Sequence, residues 1–211
     1  MTSLSGPSRA PKSGQAPASL IVLLHGRGSN GDDLIGLADM MADHFPSTAF
    51  HSPNAPVPIG GWPGYMWYDM DEDRAEGLRK VAPTVNAFID GLLAEYGLPP
   101  SKCALVGFSQ GTILSIHIAP RRKDQLAGVV GFSGAMFTGD TLAAEMLSKP
   151  PFVLIHGDDD EVLASHETDR AAARLAELGI PVAKHILPGL THSIDGRGLN
   201  LAVDFLDSVL A

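Results

Sequence analysis

The sequence predicts an α/β fold: a mostly parallel sheet with helices on both faces. Two observations lead there. Short continuous apolar runs, the mark of strands buried on both sides, recur along the chain. Between them lie longer stretches whose apolar residues repeat at helical spacing. Alternation of this kind calls for a parallel sheet wrapped by its own crossover helices. With 211 residues, 45% of them hydrophobic and 18% charged, one substantial core is expected. Residues 19–211 are therefore read as a single domain. Residues 1–18, rich in Ser, Pro, Gly and Ala, are read as a flexible tail.

The elements follow in order. Leu20 to Leu24 is an apolar run ending in His25-Gly26, a buried strand. Asp32 or Asp33 can cap a helix carrying Leu34, Leu37, Ala38, Met41 and Phe45 on one side. Thr48 to His51 is a weaker strand, followed by a Pro- and Gly-rich loop from Ser52 to Gly64. Val81, Val85, Phe88, Ile89, Leu92, Leu93 and Tyr96 share a helix face, with Pro83 in its first turn or at a kink. Cys103 to Val106 is a short buried strand, and Thr112 to Ala119 a helix stopped by Pro120. Leu126 to Phe132 and Phe152 to His156 read as further strands. A helix then runs to Leu178, ended by Gly179 and Pro181. Val182 to Leu187 is a strand, and Leu199, Ala202, Val203, Leu206, Val209 and Leu210 mark a closing helix. Only residues 134–151 separate two of these strands, which leaves no room there for a large cap domain.

Composition excludes several functions. Fifteen Lys and Arg against 24 Asp and Glu give a net charge of −9, and no basic run exceeds Arg121-Arg122-Lys123. Nucleic-acid binding therefore has no electrostatic footing. One cysteine, Cys103, rules out an internal disulfide and fits a reducing compartment. No apolar run reaches the length of a membrane span, so stable membrane insertion is not expected. The first eighteen residues lack the apolar block of a signal peptide, which makes the cytoplasm the expected location. The histidines show no ligand spacing and no phosphate-cradling glycine loop occurs, so neither metal nor cofactor is expected.

Chemistry enters at Gly107-Phe108-Ser109-Gln110-Gly111. These residues spell G-x-S-x-G, which presents a nucleophilic serine in α/β-hydrolases. Alone the pattern is unspecific: chance places it in roughly one chain in six of this composition. Its position between a strand and a helix is what the motif requires. A serine hydroxyl needs a base, and the base needs an orienting carboxylate. In such folds the chain order is Ser, then Asp or Glu, then His. Past the strand ending at His156 stand Asp158, Asp159, Asp160 and Glu161; past the strand ending at Leu187 stands His192. One oxyanion donor is expected from the backbone N–H of Gln110, at the start of the following helix. The second should come from the loop after the first strand.

Leu23-Leu24-His25-Gly26-Arg27-Gly28, the serine motif, Gly128 to Gly134 and His156-Gly157-Asp158-Asp159-Asp160 together resemble the phospholipase/carboxylesterase family. That family includes small bacterial carboxylesterases and the acyl-protein thioesterases. The likeness runs from about Leu20 to the C-terminus. It implies Ser109 as nucleophile, His192 as general base, Asp160 as the orienting acid, and the Arg27 backbone N–H as second oxyanion donor. Asp158 and Asp159 compete for the acid's place, and His25 is read as structural. Trp67-Tyr68-Asp69 also resembles the bacterial members. Trp67 and Tyr68, with Trp62 and Tyr65, can line an acyl groove or clamp the sheet edge. The expected activity is hydrolysis of short- to medium-chain carboxylic esters through an acyl-enzyme, with thioesters or lysophospholipids as further substrates. A monomer or homodimer is expected. The reading from another class is a non-catalytic binding protein on the same scaffold, which loss of a triad member would favour. Dienelactone hydrolases and dehalogenases would place Cys or Asp where this chain has Ser109.

Overall fold

A computed structural model describes residues 4–211. In chain order it contains β1 (Ser8–Arg9), β2 (Ser19–Leu24), α1 (Gly31–Leu34), α2 (Gly36–Met41), β3 (Thr48–His51), β4 (Val57–Pro58) and β5 (Tyr65–Met66). There follow α3 (Arg74–Tyr96), β6 (Cys103–Phe108), α4 (Gln110–Ile118), β7 (Gly128–Phe132), α5 (Gly139–Glu145), β8 (Phe152–Gly157), α6 (His166–Glu177), β9 (Val182–Leu187) and α7 (Gly196–Leu210). Seven strands form one sheet in the order β1-β3-β2-β6-β7-β8-β9. All its pairings are parallel except that of β1 with β3. The expected α/β-hydrolase architecture is the one observed.

The apolar runs build this sheet because successive side chains face opposite sides. From β2, Leu20, Val22 and Leu24 enter one core layer, while Ile21 and Leu23 enter the other. In β6, Cys103 and Leu105 divide from Ala104 and Val106 in the same way. The first layer is covered by α3, α4, α5 and α6, the second by α1, α2 and α7. Strands buried on both faces therefore need no polar alternation, which is why they read as continuous runs.

Several expectations are corrected. The tail assigned to residues 1–18 is not free where it is described. Ser8–Arg9 pairs with Phe50 and His51, Leu4 is buried, and the Asn54 and Ser52 amides donate to Ser5 O and Pro7 O. Arg9 and Lys12 form ion pairs with Asp39 and Asp43. For residues 1–3 the expectation lies outside the described residues. Asn30, not Asp32 or Asp33, caps the first helix: its side chain accepts from the Asp33 amide. α3 begins at Arg74, capped by Asp73, so Pro83 lies well inside it. The loop from Ser52 contains a hairpin strand at Val57–Pro58, and the segment between Gly134 and Pro151 contains α5.

His117, buried on α4, shares a 2.9 Å hydrogen bond between Nδ1 and Thr138 Oγ1. Burial, helped by Arg121, lowers its pKa to about 4. An unfolded imidazole titrates near 6.5, so between about pH 6.5 and 4 the unfolded chain binds the extra proton. Stability therefore falls with pH across that window. Replacing His117 with Gln is expected to flatten part of the decline, read as a smaller change in urea midpoint between the two ends.

Candidate active site

Parallel strands deliver their carboxyl ends to one edge, and the loops leaving β2, β6, β8 and β9 meet there. Ser109 closes β6 and opens α4 with φ 52° and ψ −114°. A non-glycine residue held there stores about 1–3 kcal/mol of strain. Its neighbours make the turn possible. A Cβ on Gly107 would stand 2.5 Å from the Thr112 amide nitrogen, and one on Gly111 would stand 1.8 Å from Leu24 O. The elbow is pinned from β7: Ser109 N–H and Thr112 Oγ1 donate to Phe132 O at 2.9 and 2.7 Å.

Asp160 is buried three residues beyond β8. Its Oδ1 accepts the amides of Val162 and Leu163 at 2.9 and 2.8 Å. Its Oδ2 meets His192 Nδ1 at 2.6 Å and His156 Nε2 at 3.0 Å. Burial alone would raise the carboxyl pKa. The Leu163 amide, the His192 ring and the Val162 amide outweigh it and hold the group below the usual carboxylate range. A carboxylate only accepts, so the His192 proton sits on Nδ1 and Nε2 carries the lone pair. The two competing acids stand elsewhere. Both Asp158 and Asp159 are exposed, and Asp158 Oδ1 accepts the Gly189 amide at 2.6 Å, closing a turn.

His192 rests against the elbow: its ring centroid lies 5.0 Å from that of Phe108, the residue before Ser109. The Ser109 hydroxyl forms no hydrogen bond to another described residue, and such contacts often tighten only when substrate binds. The β2 loop packs on the same turn, because a Cβ on Gly26 would lie 3.3 Å from Ser109 Cβ. Arg27 follows with its side chain exposed to solvent. His25 sits behind this loop. Its Nε2 accepts the Ala55 amide at 3.0 Å, so Nδ1 bears the proton donated to Gly26 O at 2.7 Å. Gln110 N–H opens α4 and therefore has no carbonyl of its own helix to bond.

Trp67 and Tyr68, read from the sequence as an acyl-groove lining or a clamp over the sheet edge, are both buried. Trp67 is 1% exposed, with Nε1 donating to His25 O at 2.9 Å. Its amide donates to Gln110 Oε1, while Gln110 Nε2 donates to Tyr68 O, both at 2.8 Å. The pair clamps the β2 loop to the turn that carries Ser109. The cleft of about 510 Å³ that they line runs along α3 and includes none of Ser109, Asp160 and His192. Trp62 remains 63% exposed, its Nε1 on Gly28 O at 2.8 Å.

Residues 9–210 match the family model described as Phospholipase/Carboxylesterase. The chain belongs to this family. It is 30% identical over 214 residues to acyl-protein thioesterase 1 of Aspergillus fumigatus, covering 90% of this chain and 87% of that protein. With the esterase YpfH of Escherichia coli it shares 26% identity over 191 residues, covering 89% and 81%. The crystal structure of esterase PE8 superposes with a TM-score of 0.93 at 42% identity, covering 99% of this chain and all of that one. Membership makes the protein an enzyme of the α/β-hydrolase class. Among the described residues no helix is long and apolar enough to cross a membrane.

The close approach at Gly111 has a direct test. A methyl group there meets backbone rather than a movable side chain, so Gly111→Ala should cost at least about 1–3 kcal/mol. Denaturant unfolding measures the loss, and hydrolysis should fall with the displaced turn.

Proposed function

We propose that the protein is a serine carboxylesterase acting on short- to medium-chain esters through an acyl-enzyme. The observation that carries this reading is the hydrogen bond from the His192 ring to Asp160, with that ring packed at a tilt against Phe108, the residue before Ser109. His192 Nε2 takes the serine proton as Oγ attacks the ester carbonyl. The amides of Gln110 and Arg27 receive the oxyanion, each worth about 3 kcal/mol. His192 then returns the proton to the departing alcohol, and water activated by the same nitrogen releases the acid. Asp160 remains ionised throughout and stabilises the imidazolium. Thioesters and lysophospholipids undergo the same acyl transfer and are proposed as further substrates; the names of the thioesterase relatives support the former. The segment between β7 and β8 holds only the seven-residue α5, too short for a large cap domain, which suits varied alcohols and modest acyl chains. We place the enzyme in the cytoplasm, as its single buried cysteine suits a reducing compartment.

Ser109→Ala should abolish turnover of p-nitrophenyl esters and acyl-thioesters alike while leaving the unfolding transition in place. Hydrolysis by that variant near the wild-type rate would end the proposal and favour a binding role. In the wild type, protonation of the base should depress kcat/KM on the acid side. A rate unchanged between about pH 5 and 8 would remove His192 from its role.

A further inference from the structure

Asp160 Oδ2 is shared by two imidazoles, and only one of them faces the serine turn. His156 is the penultimate residue of β8, with a fully buried side chain. Its Nε2 lies 3.0 Å from Asp160 Oδ2 and 2.8 Å from Leu163 O. Both partners only accept, so Nε2 must carry a proton and divide it between them. On the other side of the ring Nδ1 lies 2.7 Å from Thr168 Oγ1 of α6. A neutral ring with its proton on Nε2 accepts the threonine hydroxyl proton there in preference to the more distant Gly134 O at 3.4 Å, which fixes the ring plane. Leu163 completes a closed circuit, as its amide donates to Asp160 Oδ1 while its carbonyl accepts from His156.

We infer that His156 is a positioning residue for the esterase reaction: its Nε2–H fixes the Asp160 carboxylate so that Oδ2 presents itself to His192. This rests on the proposed roles of Ser109, His192 and Asp160. Two backbone amides hold Oδ1 alone, and a carboxylate held at one oxygen can still tilt about that edge. The His156 donor removes this freedom by holding the second oxygen as well. It also supplies one of four donors to a carboxylate that has no Lys or Arg partner among the described residues. Thr168 ties the arrangement to α6, so the acid loop and the helix after it move as one body.

Two substitutions separate positioning from packing. A Gln side chain reaches where Nε2 stands, whereas an Asn side chain ends where Nδ1 stands. His156→Gln keeps the donor to Asp160, and His156→Asn keeps only a partner for Thr168. On a p-nitrophenyl ester, His156→Asn should lower kcat by about 10- to 100-fold with KM unchanged, while His156→Gln recovers most of it. A folded His156→Asn enzyme with wild-type kcat overturns the proposal. So does an equal fall in both variants, which would make the ring a packing element alone. Should either variant fail to fold, ring-nitrogen NMR of the wild type decides. It should report a proton on His156 Nε2 and none on Nδ1 at neutral pH, and the reverse tautomer overturns the proposal. Undiminished turnover by Ser109→Ala would instead fell the underlying esterase reading, so the two failures are distinct.

Discussion

A buried carboxylate with no Lys or Arg beside it among the described residues is the constraint on which this edge of the sheet depends. Taking such a charge out of water costs several kcal/mol unless its lone pairs are filled. Asp160 meets that demand with two backbone amides and two imidazoles. The demand shapes the chain around it. Residues 160–163 must turn back so that their own amides reach Oδ1, and the β9 loop must bring His192 to within 2.6 Å. Once those conditions hold, the tautomer of His192 follows and its other nitrogen is left without a proton.

The second organising feature is the closeness of backbone to backbone at the turn that carries Ser109. Gly107 and Gly111 let β6, α4 and the end of β2 approach to distances no side chain permits. The strain of Ser109 survives because β7 pins it through Phe132 O and the Gln110 side chain ties it to Trp67 and Tyr68. Gln110 thus has two duties in the arrangement: its side chain braces the scaffold while its amide stands ready at the head of α4. The loop bearing Arg27 is braced from behind by His25 and Trp67.

Much of this was legible in the residues. Strands buried on both faces leave continuous apolar runs, and β2, β6, β7 and β8 all stand within two residues of where those runs placed them, as does the partly exposed edge strand β9. The serine turn, the carboxylate cluster and His192 were visible because each follows a strand. What was not legible has several physical causes. β1 is two exposed residues, Ser8 and Arg9, whose only warrant is the open edge of β3, so no periodicity marks it. Asn30 precedes two acidic residues that advertise a cap more loudly than it does. Trp67 was ambiguous because an aromatic ring serves equally as groove wall or brace. Its indole N–H needs a buried acceptor, and His25 O, the one it finds, was not visible in the sequence. Among the three acids residue type could not distinguish one from another, whereas burial sets Asp160 apart from Asp158 and Asp159.

The last residues lie at the opposite pole. Lys102, just ahead of β6, bonds the carbonyls of Leu210 and Ala211, which places the end of α7 beside the amino ends of the strands. A bead or electrode attached through Ala211 would therefore hold the molecule with its reactive rim pointing into bulk solution. Immobilised in that orientation, the enzyme would keep its mouth unobstructed without any change to its interior.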